Sequence, residues 1–201
     1  MKMKPIMEFC TLNMGQSPDS ETYNENGIGL PFYQGNADFG EIHPKTRVWC
    51  SAPNKVASAD DILISVRAPI GALNIAVEKC CIGRGLAALT PKLNVCDLWY
   101  LYYALCSRVD FLNRHGTGST FKAIGKKTLE EVLIPAHSLM EQKQIAVKLS
   151  YIDKLISNVK RQVLVLEKLV QSKLEVQKSL EKLETLKKSL MQQYFGQEGT
   201  E

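Results

Sequence analysis

No run of the sequence approaches the roughly 18 apolar residues that a membrane-spanning helix requires, and the start, MKMKPIMEFC, has no apolar signal-peptide core. A membrane or secreted protein is not expected, and a cytoplasmic location is. The six cysteines, Cys10, Cys50, Cys80, Cys81, Cys96 and Cys106, include no pair at the C-x-x-C spacing of a zinc site or redox loop. Reduced, partly buried thiols are therefore expected. His43, His115 and His137 stand apart from one another and from the cysteines, so no metal site is expected. Charge of one sign is also scarce. The net +4 comes from 14 basic against 13 acidic residues over 1–138 and 11 against 8 over 139–201. Without a polybasic blanket, any binding of a polyanion has to be local and shaped. With 45% apolar and 23% charged residues, wholesale disorder is excluded as well.

Catalytic motifs are equally sparse. IGRGLAA (82–88) contains Gly83-x-Gly85-x-x-Ala88, but Pro91 arrives before the helix that a dinucleotide fingerprint needs. Gly125-Lys126-Lys127-Thr128 ends like a phosphate loop, yet the required first glycine falls on Thr120. Pro18-Asp19 has no Glu-x-Lys or Asp-x-Lys of a metal-dependent nuclease within the following tens of residues, and no Asp/Asn-Pro-Pro-aromatic tetrapeptide of a methyltransferase occurs. Asp60 and Asp61 read as a turn and strand cap. The chain is expected not to be an enzyme and to carry no cofactor.

What is present falls into two compositional regimes. All eight prolines and eleven of the thirteen glycines lie before Ser138, among short β-branched runs. Residues 62–77 read as two strands around the loop Arg67-Ala68-Pro69-Ile70-Gly71, and 132–135 as a short strand halted by Pro135. Asp97 is the expected N-cap of one helix running to about Asn113, with Leu98, Leu101, Tyr102, Leu105, Val109 and Leu112 on one face. Thr128 and Glu131 suggest a second capping box for a single helical turn. The fold class expected is α+β, with a mixed-sheet domain over 1–138.

From 139 to 201 the expectation is a long coiled-coil helix. Ser138-Leu139-Met140-Glu141 forms a capping box at its start, and Gly196 stands where a C′ glycine would end it. About 55 residues at 1.5 Å each make a rod of about 80 Å, more than this chain can cover by itself. Leu149, Ile152, Ile156, Val159, Val163 and Leu166 follow the three-and-four steps of a coiled-coil seam. After a slip of three residues the seam resumes through Leu169, Val176, Leu180, Leu183 and Leu190, with Lys173 and Lys187 on it. Leu155, Leu164, Val165, Leu174 and Leu186 lie off the seam, to contact the first domain or to widen the interface into a bundle.

The polar loops are suited to phosphates and base edges. Between Arg108 and Lys127 stand Arg108, Arg114, Lys122, Lys126 and Lys127 against the single acid Asp110, around Gly116-Thr117-Gly118-Ser119-Thr120-Phe121-Lys122. Small hydroxyl residues between glycines expose N–H and O–H donors that clamp a phosphate, which nominates Ser119, Thr120 and Lys122. Gln34 and Asn36 carry amides able to pair bidentately with adenine, and Arg67 and Arg84 guanidinium groups able to pair with guanine. On the residues alone, an oligomerisation adaptor with a non-DNA ligand domain fits too, as does an enzyme working through Cys80 or Cys81.

Four stretches decide between these: MGQSPDSETYNENGIGLPFYQGNADFG (14–40), DDILISVRAPIGALNIAVEKCCIGRGLAAL (60–89), LYYALCSRVDFLNRHGTGSTFKAIGKKTLEEVLIP (101–135) and LMEQKQIAVKLSYID (139–153). In this order they resemble one half of the specificity subunit of a type I restriction-modification system, a target-recognition domain followed by its helical spacer. The usual subunit holds two of each in tandem, whereas this chain has one of each and no internal repeat. The resemblance implies sequence-specific binding of double-stranded DNA, with Ser17 added to the contact residues. A half-subunit of this kind would read a bipartite site either as an antiparallel homodimer or by pairing with another half, and the resemblance also implies docking of modification (methyltransferase) and restriction subunits. S-adenosylmethionine is expected on the methyltransferase partner.

Overall fold

The computed structural model describes residues 2–118 and 122–195. The chain divides into two compact units, one up to Ser150 and one from Tyr151 onward. Described strands and helices of the first unit are β1 (Met3–Pro5), β2 (Cys10–Met14), β3 (Tyr23–Asn24), β4 (Leu30–Tyr33), β5 (Trp49–Cys50), β6 (Val56–Ala57), β7 (Ile62–Ser65), β8 (Leu73–Ile75), β9 (Cys80–Ile82), β10 (Leu86–Pro91), α1 (Leu98–Cys106), α2 (Val109–Arg114), α3 (Lys126–Glu130) and β11 (Leu133–Pro135). Helix α4 (Leu139–Phe195) begins in the first unit and continues through the second.

A central antiparallel sheet runs in the order β2-β10-β7-β8, and a second, mixed sheet in the order β3-β5-β4-β9-β6, with β4 and β9 parallel. β1 pairs with β11, which ties the chain start to the segment before α4. Sequence alternation accounts for the layering. Ile62, Ile64, Ala87 and Leu89 turn to the helix side and pack with Leu101, Leu105, Leu112 and Leu129. Their neighbours Leu63, Leu86 and Ala88 turn the other way and pack with Tyr33 and Ile82 of the mixed sheet. Because both faces of β7 and β10 are covered, ILIS and LAAL read as continuous apolar runs.

The helix expected from Asp97 to Asn113 is two helices. Its start is as expected, with the Asp97 carboxylate accepting the Tyr100 N–H at 3.0 Å. It breaks at Ser107 and Arg108. The Ser107 hydroxyl donates to the Ala104 carbonyl at 2.7 Å and the Arg108 N–H to the Leu105 carbonyl, a tighter i to i−3 bond that ends the turn. The restart lets Asn113 Nδ2 reach the Ile70 carbonyl at 3.1 Å, so α2 holds the loop after β7. The capping box expected at Thr128 and Glu131 is also corrected. Gly125 is the N-cap of α3, without a side-chain cap, and Glu131 sits at its C-terminal end. The backbone of Gly125 makes the turn by itself.

At α4 the box forms as read. The Glu141 N–H is donated to Ser138 Oγ at 3.4 Å, and Glu141 Oε2 accepts the Ser138 N–H at 2.8 Å. The Ser138 hydroxyl also donates to Glu141 Oε2, at 2.7 Å, and this bond, with the one from the Ser138 N–H, lowers the Glu141 carboxyl below its ordinary value. Gln142, one residue on, is 1% exposed. Its Oε1 accepts the Asp97 N–H at 2.9 Å, and its Nε2 donates to the carbonyls of Val95 and His137 at 3.0 Å each. With Ala146 also buried, the opening turns of α4 belong to the helix-side core. Along the second unit Ile152, Ile156, Val159, Val163, Leu166, Val176, Leu180, Leu183 and Leu190 are exposed, as are Leu155, Leu164, Val165, Leu174 and Leu186; Leu149, in the first unit, is half-buried. Gly196 lies outside the described residues. Among the described residues, no helix is long and apolar enough to cross a membrane.

Candidate nucleic-acid interface

Sheet register gathers the loops that carry the nominated residues. Ala87 of β10 pairs with Met14 at the end of β2, Leu86 with Ser65 at the end of β7, and Tyr33 of β4 with Ile82 at the end of β9. The segments 15–17, 34–38, 66–68 and 83–85 therefore emerge at the same end of the two sheets. Two close approaches lock them together. A Cβ on Gly85 would stand 2.3 Å from the Gln34 carbonyl oxygen, and one on Gly15 would stand 2.1 Å from the Gly83 carbonyl oxygen. The glycines of IGRGLAA thus serve packing between loops.

Ser17, Gln34, Asn36 and Arg84 fall into one group. Ser17 Oγ accepts the Arg84 N–H at 3.3 Å and is half-buried, while the Arg84 side chain is exposed. Gln34, exposed, and Asn36, half-buried, border a cleft of about 350 Å³ floored by Tyr23 and Phe32, whose ring centroids lie 4.7 Å apart. Desolvation raises the Tyr23 hydroxyl above its ordinary value, and the Arg84 guanidinium opposes that shift.

Arg67 and Lys122 form a second group. Arg67 bridges Ala123, and the Ala68 N–H donates to the Lys122 carbonyl at 3.0 Å, so the two exposed cations sit on adjacent backbone segments. The Val66 N–H donates to the Gly85 carbonyl at 2.9 Å and joins this group to the first. Ser119 and Thr120 lie outside the described residues. Reasoning from sequence missed Arg47 and Asp38, which border the cleft with Gln34 and form an ion pair. The nine-residue spacing between them carries no local signal. It missed Tyr23 for the same reason.

Cys80 and Cys81 are fully buried, and burial pushes both thiols up to about 12. Thiols that are buried and resist ionisation to that degree are poor nucleophiles at neutral pH, which speaks against the cysteine-enzyme reading. Among the described residues no group of three or more His, Cys, Asp or Glu side chains could hold a metal ion.

A mixed two-sheet domain that gathers amide and basic loops at one end and is followed by a long helix has the architecture of a target-recognition domain of a DNA specificity protein. Residues 1–168 match the type I restriction modification DNA specificity domain, and the chain belongs to that family. It is 46% identical over 149 residues to a protein of Methanocaldococcus jannaschii assigned as the type I restriction enzyme MjaX specificity subunit, covering 74% of this chain and 35% of that protein. A chain from a structure of a type I R-M system, concerned with complex assembly and conformational transition, superposes with a TM-score of 0.74 at 48% identity. That superposition covers 80% of this chain and 40% of the other. The HsdS subunit from Thermoanaerobacter tengcongensis gives a TM-score of 0.72 at 47% identity, over 80% and 39% of the two chains. The chain therefore spans about a third to two fifths of the length of these relatives.

Proposed function

We propose that this chain reads the sequence of double-stranded DNA as the non-catalytic specificity component of a type I restriction-modification complex. The carrying observation is the convergence of Ser17, Gln34, Asn36 and Arg84, with Arg67 and Lys122 beside them, at one end of the sheets. Amides and guanidinium groups supply the donor and acceptor pairs that base edges in the major groove require, while Lys122, with Ser119 and Thr120, supplies phosphate contacts that fix register. Methylation belongs to a modification subunit, which carries S-adenosylmethionine, and a restriction subunit completes the complex. The isolated chain should give no heat with S-adenosylmethionine in isothermal titration, and stoichiometric binding would overturn the non-enzyme reading.

Two copies are proposed to pair antiparallel along α4 and so present two recognition domains to a bipartite site. The exposed seam from Ile152 to Leu190 supports burial against another helix. A parallel in-register pair would set Lys173 against Lys173 and Lys187 against Lys187. An antiparallel pair centred near Leu169 and Val170 sets them instead near Leu166 and Ile152, where each lysine stem covers apolar surface. The deciding experiment is a mobility-shift selection on randomised duplex DNA, with and without a modification subunit. Enrichment of a split site with two related halves is expected, and recovery of no sequence in either form would sink the DNA reading.

A further inference from the structure

The cleft beside Gln34 holds a guanidinium with an unusual support. Arg47 Nη2 donates to Asp38 Oδ1 and to the Ala37 carbonyl, the latter at 3.4 Å. The other carboxylate oxygen, Asp38 Oδ2, accepts the backbone N–H groups of Gln34 at 2.8 Å and Gly35 at 3.4 Å. One carboxylate therefore fixes both Arg47 and the loop that carries the Gln34 amide. The acid is shielded, with its side chain 13% exposed, while the arginine is 62% exposed and open to a ligand.

We infer that Arg47 is a base-reading residue and that Asp38 is the residue that positions it; this rests on the DNA-reading proposal and extends it. Two physical arguments favour a base edge over a phosphate. First, the pair carries no net charge, and a phosphate drawn to Arg47 would meet the Asp38 carboxylate beside it. A base edge is polar and uncharged, so the acid does not repel it, and with Nη2 committed to Asp38 and Ala37 the Nη1 end of the guanidinium is left to donate to a guanine acceptor, O6 or N7. Second, a phosphate contact tolerates a mobile cation, whereas discrimination between bases needs a fork held in one orientation. Asp38 supplies that restraint before binding, which reduces the rotamer entropy lost on contact. The same carboxylate sets the register of Gln34, so the amide and the guanidinium present a fixed spacing to neighbouring base pairs.

The test compares the full-length chain with Arg47→Ala, Arg47→Lys and Asp38→Asn in the selection on randomised duplex DNA, followed by salt titration on the selected site and on a scrambled one. Arg47→Ala and Arg47→Lys should each lose about 5- to 150-fold of discrimination at a single base position, and with Arg47→Lys, which keeps the charge, binding to the scrambled duplex and its salt slope stay as in the parent. Asp38→Asn should relax the same position but bind the scrambled duplex more tightly with a steeper salt slope, because it releases a cation from its counter-charge. If the parent chain selects a sequence and Arg47→Ala selects the identical one, the assignment is wrong. It is equally wrong if Arg47→Ala weakens all sequences alike and lowers the salt slope by about one, the signature of a phosphate contact. A parent chain that selects nothing defeats the DNA reading itself, a result distinct from either.

Discussion

Gly85 lies against the backbone of Gln34 so closely that a Cβ at position 85 would sit 2.3 Å from the Gln34 carbonyl oxygen. Two loops more than fifty residues apart in sequence share that contact, and each carries a side chain proposed to read DNA. Backbone against backbone cannot give way as a flexible side chain would. Gly85→Ala should therefore push the loops apart, cost about 1 to 3 kcal/mol, and weaken binding to the selected site more than to scrambled DNA. Gly35, where nothing lies within 4 Å of an added Cβ, is the matched control. Gly35→Ala should stay within about 0.5 kcal/mol of the parent in urea unfolding; equal losses at 85 and 35 would contradict the packing argument.

The two classes of DNA contact should separate in mutagenesis. Lys122→Ala is expected to weaken all sequences similarly and to reduce the salt slope by about one. Arg84→Ala and Arg67→Ala should each cost about 1 to 3 kcal/mol at one base position and leave the others unchanged. Measuring binding on single-substitution duplexes at several salt concentrations distinguishes the two patterns. No change in affinity from any of the three would remove these residues from the interface.

Gln142 should prove a structural keystone of the first unit. Replacing it with leucine leaves the Asp97 N–H and the carbonyls of Val95 and His137 without the partner they have now. Loss of buried hydrogen-bond partners at this site should cost about 2 to 5 kcal/mol, a drop in Tm of about 5 to 15 °C for a chain of this size. Thermal unfolding followed by tyrosine and tryptophan signals of the first unit reads this directly, and an unchanged Tm would show that water replaces the amide at no cost.

The thiols predict an alkaline limit on stability. Desolvation pushes Cys10, Cys80, Cys81 and Cys96 up to about 12 in the folded chain, against an ordinary value of about 8.5 when unfolded. The folded state thus holds protons that the unfolded state releases. Their stabilisation is complete below about pH 8.5 and is lost progressively as pH rises towards 12. The urea midpoint should fall between pH 9 and pH 11, and alkylation at pH 7.5 should modify Cys106, the exposed thiol, ahead of the five buried ones. Rapid alkylation of Cys80 or Cys81 in the native chain would show that the mixed-sheet core opens.

Helix pairing can be read by cross-linking. With Cys106→Ser and the buried cysteines retained, a chain carrying Leu149→Cys and Leu190→Cys should form 149-to-190 disulfides between protomers under mild oxidation. Peptide mapping of the oxidised dimer identifies them, and efficient 149-to-149 linkage would establish a parallel pair instead.

Much of the architecture was legible because it is written in local spacing. The seam of α4 repeats over tens of residues, its start is signalled by Ser138 and Glu141 three apart, and Pro69 with Gly71 marks the loop between β7 and β8. Each of these signals acts within one or two turns of chain, where residue chemistry alone selects the backbone conformation. The break at Ser107 was harder to see, because a serine in an apolar helical pattern reads as tolerated until its hydroxyl is found bonded back to Ala104.

The interface residues were nominated one by one from their chemistry, and nothing in the sequence said which of them would meet. Ser17 and Arg84 are 67 residues apart, and their contact exists because β2 and β10 pair in a register that brings the end of one to the start of the other. Register is set by which apolar faces bury together across the whole domain, a sum over many weak contacts that no short window contains. Arg47 and Asp38 were missed for that reason. The sequence by itself determined the element types, the long helix and the chemical vocabulary of the loops; only the tertiary structure decided which of those loops share one surface, because long-range strand pairing, and not local propensity, places them.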